Sequence, residues 1–255
     1  MTNRFVVVYE AQADFATATD LADRVLAAEV DWLETLLDSQ REWVPEDPTG
    51  ARLTWKGIAS HARELGISVR GFFDGRPGLP DAQAARRAIA YVRRCFSAVD
   101  AILLIRDMDD QLERRGGLEQ ARASDSSDVK IVIGVAIVER ESWILSGFDP
   151  ENDDEHARLN AESQWLGFNP CLRPQELTAC KDDAAKRSPK RVLVALTAGD
   201  WDRQRTCWMA TALAVLEARG QANGLKDYLG EVRDRLVPLI TGHERPLESM
   251  KGGAV

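Results

Sequence analysis

The chain has few of the side chains that staple or metallate a fold. Its four cysteines, Cys95, Cys171, Cys180 and Cys207, are scattered with no CxxC pair, and its three histidines, His61, His156 and His243, show no ligand-like spacing. That argues against a zinc site and leaves reduced thiols as the expectation. Long apolar runs are missing as well. No window approaches the roughly 18–20 uninterrupted apolar residues that a membrane span needs. The opening MTNRFVVVYEAQADF holds too short an apolar run for a signal peptide, and acid follows at once, so a cytoplasmic protein is expected. There is no internal repeat and no low-complexity tract. Positive charge is in deficit: 33 Lys and Arg against 41 Asp and Glu give a net charge of −8. That balance counts against a stand-alone nucleic-acid binder, which rests on local positive charge, but it leaves room for a basic patch on an acidic body.

The 255 residues suffice for one large domain, or one domain with an appendage. Arg4 to Tyr9 is β-branched and apolar and predicts a buried strand. A helical region is predicted from about Asp14 to Trp43, where Leu21, Val25, Val30, Leu33 and Leu37 recur at near-helical spacing. VPEDPTG, 44–50, is a break. Thr54 is placed to cap a helix that Gly66 stops. Ile67 to Phe73 reads as a second strand, 81–96 as a helix, and Ala101 to Ile105 as a third strand. A polar helix follows over about 110–123, loosened by Gly116-Gly117, with Asp110 as its N-cap. Lys130 to Val138 is an almost unbroken apolar run that suits a strand buried on both faces. This alternation predicts an α/β fold with a mainly parallel four-stranded sheet flanked by helices. The domain would span 1–147, with a helical insertion around 14–66. After Gly147 the pattern turns acidic and then helical, predicting a mostly helical C-terminal appendage over 148–255. In it, Val192 to Leu196 fits a short strand or a helix start, and 225–240 a helix loosened by Pro238.

Three of the predicted strands end in acid. Glu10 ends the first, with Asp14 four residues on. AILLIRDMDD, 101–110, places Asp107 and Asp109 at the end of the third, and Glu139 and Glu141 follow the fourth. On a continuing strand, residues i and i+2 share a side, so Asp107 and Asp109 would face one another and repel. In open α/β sheets chemistry gathers at the carboxyl ends of the strands. Four or five hard oxygen ligands there suit Mg²⁺ or Mn²⁺, which stabilise charge on phosphoryl oxygens and activate water. The plainer reading makes Asp107 and Asp109 a turn and helix cap, and Glu139 and Glu141 a solvated first helical turn. Trp143 is expected in the core.

VVVYEAQAD and IRDMD together resemble the TOPRIM fold of topoisomerases, primases and OLD-family nucleases. In that fold a Glu ends the first strand and a DxD pair ends a later one. The glycine that usually follows the Glu is Ala11 here. IVIGVAIVERESWILSG, and Ser188-Pro189-Lys190 before an apolar run, resemble a group of small prokaryotic TOPRIM-like proteins. The resemblance covers 4–147 well and the remainder loosely. It implies Glu10 as general acid/base or metal ligand, Asp107 and Asp109 as metal ligands, and Glu141 as the extra acid with Glu139 as second choice. It also implies a Mg²⁺-dependent nuclease, encoded beside an ATPase and acting in phage defence.

Arg86, Arg87, Arg93 and Arg94 form a basic stripe on one predicted helix, and Lys181, Lys186, Arg187, Lys190 and Arg191 form a second basic cluster. Either is a solvated face or a phosphate contact, with Arg86, Arg93, Lys186 and Lys190 the chosen nucleic-acid candidates. The expected partners are nucleic acid, DNA ahead of RNA, and an ATPase or other complex subunit, with self-association left open. The leading alternative is a degenerate TOPRIM scaffold. A phosphatase of the haloacid dehalogenase type ranks last, because its DxD normally ends the first strand.

Overall fold

The structure is a computed structural model that describes residues 2–109 and 111–242. In chain order its elements are β1 (Asn3–Val8), α1 (Gln12–Glu29), α2 (Leu37–Gln40), β2 (Arg41–Val44), α3 (Trp55–Glu64), β3 (Phe72–Phe73), β4 (Arg76–Pro77), α4 (Ala82–Cys95), β5 (Ala101–Asp107), α5 (Arg114–Ala123) and β6 (Lys130–Ala136). The helices α6 (Arg140–Ser146), α7 (Asp153–Leu166), α8 (Pro189–Thr197), α9 (Trp201–Met209), α10 (Leu213–Arg219), α11 (Leu225–Arg235) and α12 (Val237–Thr241) follow. No helix among the described residues is long and apolar enough to cross a membrane.

The main sheet has four strands, all parallel, in the order β2-β1-β5-β6. Its central strands are apolar on both faces: Phe5 to Val8 and Ala101 to Leu104 are fully buried. Helices cover each face, as parallel strands require. The helices α3, α4 and α5 pack side by side, while α1 packs with α11, which also lies on β6. Tyr228 of α11 fixes that contact. Its hydroxyl donates to the Ala18 carbonyl at 2.8 Å and its ring stacks on Trp143 at 5.1 Å, which places Trp143 in the core as expected. Gly134 of β6 makes room for it, since a Cβ there would lie 2.9 Å from the Tyr228 ring. One continuous hydrophobic cluster runs from Phe5 to Val237.

The α/β class and the four-stranded parallel sheet agree with the sequence reading, but one strand lies elsewhere. Residues 67–71 form no strand. Only Phe72–Phe73 pairs, in a separate antiparallel hairpin with β4. The carbonyls of Val69 and Arg70 are instead taken by side chains of α4, Gln83 and Arg86. The fourth strand is β2, inside a stretch read as helix. The helix α1 ends at Glu29, and the chain turns back so that Arg41 to Val44 lies along the open edge of β1. Arg41 and Trp43 both donate to the Asp23 carboxylate on α1, and the Trp43 ring packs 5.2 Å from Phe5. The segment 14–66 thus holds a sheet strand as well as helices. Val192 to Leu196 is helical, and Pro238 sits at the start of the separate α12.

The loop after β2 is organised by Asp47, which is buried. Its carboxylate accepts from Thr49 N–H (2.8 Å), the Thr49 hydroxyl (2.6 Å), Ala51 N–H (3.0 Å) and the Tyr91 hydroxyl. Burial alone would raise its pKa, but the hydrogen bonds from Thr49, Tyr91 and Ala51 outweigh burial and bring it down to about 2. A depressed carboxyl adds stability above its unfolded value and loses it as pH falls through the folded one. Asp47→Asn is therefore expected to cost about 1–3 kcal/mol at pH 7. In urea unfolding the gap to the wild type should close between pH 4 and about pH 2; a gap that persists unchanged to pH 2 refutes this account.

Candidate functional site

Parallel register brings the acids to one edge. Val8 pairs with Leu104 and Asp107 with Ala136, so Glu10, Asp107 and Glu139 leave the sheet at the same, carboxyl end. The ladder continues past the strands: Met108 N–H donates to the Ala136 carbonyl at 2.8 Å and Asp109 N–H to that of Val138 at 3.0 Å. Tyr9 N–H donates to Leu53 and Trp55 N–H to Tyr9, which sets Glu10 beside the start of α3.

Asp107 and Asp109 do not share a face as an extended strand would require. Strand β5 ends at Asp107, and Asp109 turns into the left-handed region at φ +49°. Val138, opposite, is left-handed too at φ +71°, a costly conformation for a β-branched residue. The chain is thereby bent after both β5 and β6, where the acids gather.

Asp107 is the most crowded group. Its Oδ1 accepts from the Arg140 backbone N–H at 2.8 Å, at the first turn of α6. Among the described residues no lysine or arginine pairs with its carboxylate. Burial, followed by the charges of Asp14, Glu141, Glu10 and Asp109, pushes its pKa well above the usual aspartate range. Glu10 and Asp14 are raised for the same first cause, burial. Arg106 opposes the shift at Glu10, and the Ala11 N–H and Arg140 oppose it at Asp14. At Glu139 burial raises the pKa against the pull of Lys190.

Three arginines that carried no signal in the sequence hold the other acids apart. Arg140 Nε lies 3.3 Å from Asp14 and its Nη2 2.8 Å from Glu141. Arg106 Nε is 2.8 Å from Asp81 and its Nη1 3.5 Å from Glu10. Arg114 Nη1 is 2.8 Å from Asp109 Oδ2. Its Nε approaches Asp81 to 2.6 Å, close enough for an ion pair though off the line of a hydrogen bond. Asp81 thus anchors both Arg106 and Arg114, from a left-handed backbone at φ +64°. Gly117 permits this: a Cβ there would sit 1.8 Å from the Pro80 carbonyl oxygen. That glycine serves close packing of α5 on the Pro80–Asp81 turn rather than loosening the helix.

Ala11 has φ −130°, an extended backbone that any residue adopts, so the place next to Glu10 needs no glycine. Asp14 closes back on it, accepting from Ala11 N–H at 2.7 Å. The expected capping role of Asp110 lies outside the described residues.

The basic candidates divide. Arg86 donates to the carbonyls of Arg70 (2.8 Å) and Phe72 (2.9 Å) and lies 3.6 Å over the Phe73 ring, so it pins the hairpin segment. Arg93 pairs with Asp125 at 3.0 Å. It lies twelve residues along α4 from Asp81, roughly 18 Å from the acids at the helical rise. Lys190 does reach the acidic edge, 3.7 Å from Glu139 and 3.4 Å from Asp183. Lys186 lies beside it in the fold, 5.6 Å over the Trp165 ring.

The donors are hard oxygens in excess of the cations among them, which fits a divalent ion chemically. Among the described residues no three such side chains yet converge on one coordination centre, because Arg114 and Arg140 hold Asp109, Asp14 and Glu141. Ligation therefore requires Asp109 to leave Arg114. The chain matches no protein-family model, and neither the curated proteins nor the solved structures hold a significant match to it.

Since the folded chain holds these carboxyl protons more tightly than the unfolded chain does, its stability falls as pH rises from the ordinary aspartate range through the raised folded values. Asp107→Asn keeps the acceptor for Arg140 N–H and removes the crowded charge. It is expected to raise the melting temperature at pH 7.5 by a few degrees, corresponding to about 1 kcal/mol, and to flatten the loss of stability as pH rises above the ordinary aspartate range. A lower melting temperature at pH 7.5 would show that the crowding is already relieved in the folded state.

Proposed function

We propose that the chain is a TOPRIM-like phosphodiesterase that uses Mg²⁺ or Mn²⁺ to hydrolyse nucleic acid, DNA ahead of RNA. The observation that carries this reading is Asp107: a half-buried carboxylate with Asp14, Glu141, Glu10 and Asp109 around it, and no cationic side chain paired to it among the described residues. Such a position lacks one positive charge. Asp107, Glu10 and Asp109 would hold the ion, with Asp14, Glu141 and Glu139 around them. When bound, the ion neutralises charge on phosphoryl oxygens and activates water. The chain's own residues do the rest. Glu10 is partly open to solvent and its pKa is raised above the usual glutamate range, which suits a group that exchanges a proton with water or a leaving oxygen. Arg106 and Arg114, anchored through Asp81, present fixed guanidinium charge beside it. From the sequence resemblance we take the partner to be an ATPase or another subunit of a phage-defence complex.

A second reading rests on a specific observation. Arg114 and Arg140 already occupy Asp109, Asp14 and Glu141, as in a scaffold that has internalised its countercharge and serves as an interaction subunit.

Calorimetric titration of Mn²⁺ and Mg²⁺ into the wild type, Asp107→Ala and Glu10→Ala separates the two. The phosphodiesterase reading expects wild-type binding that each substitution weakens about ten-fold or more. It also expects proton release on binding, with affinity falling as pH drops, because the raised carboxyls must ionise. No binding, or binding that neither change affects, makes the scaffold reading the better one.

A further inference from the structure

The acidic edge continues into a strip of cations and aromatic rings that the chemistry above does not use. Lys190, at the start of α8, touches Glu139 at 3.7 Å. The next residue, Arg191, lies 4.4 Å over the ring of Trp165 on α7, and is held there by a two-pronged ion pair to Glu162 at 2.9 and 2.7 Å. Arg191 also donates to the Lys186 carbonyl at 2.8 Å, which fixes the turn that carries Lys186 and Arg187. Lys186 Nζ lies 5.6 Å from the same Trp165 ring, and Arg187 lies 5.7 Å from the ring of Phe168.

Trp165 is 51% exposed, although it is a large indole on a helix whose end is buried at Leu166. Core packing does not explain its position. Arg191 and Lys190 are paired with acids, whereas Lys186 and Arg187 are exposed and have no acidic partner among the described residues. An exposed indole with Lys186 over it and Arg187 on the same turn, neither cation held by an acid among the described residues, makes up what single-stranded nucleic acid recognises: charge for successive phosphates and an aromatic ring for a base. A duplex keeps its bases stacked inside and cannot use the indole.

We propose that Trp165, Lys186 and Arg187 form a binding track for single-stranded nucleic acid that leads to the acidic edge at Lys190 and Glu139. Arg191, over the indole and ion-paired to Glu162, holds the ring in place. The proposal deepens the phosphodiesterase reading and rests on it for the nucleic-acid substrate. Binding to the track itself needs no metal.

The test uses a fluorescein-labelled fifteen-nucleotide oligo-dT and its duplex with oligo-dA. Fluorescence anisotropy is measured with the full chain in EDTA at 50 mM salt. The expected result is binding of the single strand in preference to the duplex, weakened about ten-fold by Trp165→Ala. The double variant Lys186→Gln/Arg187→Gln should reduce the slope of log affinity against log salt by about 1.4, two phosphates' worth for a single strand. Because binding is read without metal, failure of the track and failure of the metal site are told apart. Photocrosslinking of a 5-iodouracil oligonucleotide should label the peptide that holds Trp165. Absence of single-strand binding, equal binding of duplex, or binding indifferent to Trp165→Ala in a variant that melts like the wild type overturns the proposal.

Discussion

Everything at the carboxyl edge of the sheet follows from repulsion between like charges that a parallel register forces together. Strands β1, β5 and β6 each run into acid, and pairing Val8 with Leu104 and Asp107 with Ala136 leaves those acids no room to separate along the sheet. A chain can answer such crowding by keeping protons, by inserting arginines, or by taking up a cation. This chain does the second at Asp14, Asp81, Asp109 and Glu141, and at Asp107, where no arginine pairs with the carboxylate among the described residues, the crowding is left to raise the pKa. The arginines come from β5, α5 and α6, so the helices that follow β5 and β6 each return a positive charge to the edge, whereas α1, after β1, brings Asp14.

That arrangement also accounts for the strained backbone. Asp81, Asp109 and Val138 all adopt positive φ, and all three lie where arginine pairs or ladder hydrogen bonds cross the edge. Residues persist in such conformations only when their surroundings over-determine them. At Asp81 two guanidinium groups do so, together with the helix α5, which Gly117 lets approach the Pro80 carbonyl. At Asp109 the ladder bond to Val138 and the pair with Arg114 act in the same way.

Much of this was legible in the sequence, because strand ends and charge are local signals. The apolar runs leading into Glu10 and Asp107 marked two strands and their edge, and Lys130 to Val138 marked a third. What was not legible depended on partners distant in the chain. REWV is only four residues long and follows helical spacing, so its role as a strand becomes visible only with the open edge of β1 and with Asp23 eighteen residues earlier. Ile67 to Phe73 carries strand-forming residues, yet that edge was already filled and α4 side chains took its carbonyls. Arg106, Arg114, Arg140 and Asp81 leave no periodic trace, since an ion pair across the fold is written in no local pattern. For the same reason Arg86 and Arg93, which look alike by spacing, turn out to serve a hairpin and a distant aspartate.

Lys190 gives the two proposals a common term. It sits both against the acids, at Glu139, and at the head of the basic strip, next to Arg191. A nucleic-acid strand lying on Trp165 and continuing past Lys190 would bring phosphates toward an edge that is already crowded with carboxylates. Its approach becomes favourable only if positive charge stands between the two, and a bound divalent ion provides that charge. Strand and ion would then each raise the affinity of the other by the same factor, because linkage between two sites is reciprocal. In the scaffold reading Arg114 and Arg140 are that positive charge permanently, and no such mutual dependence arises. Whether oligonucleotide affinity rises on adding Mg²⁺ to the wild type but not to a chain lacking Asp107 thus distinguishes an edge built to be completed by a cation from one already complete.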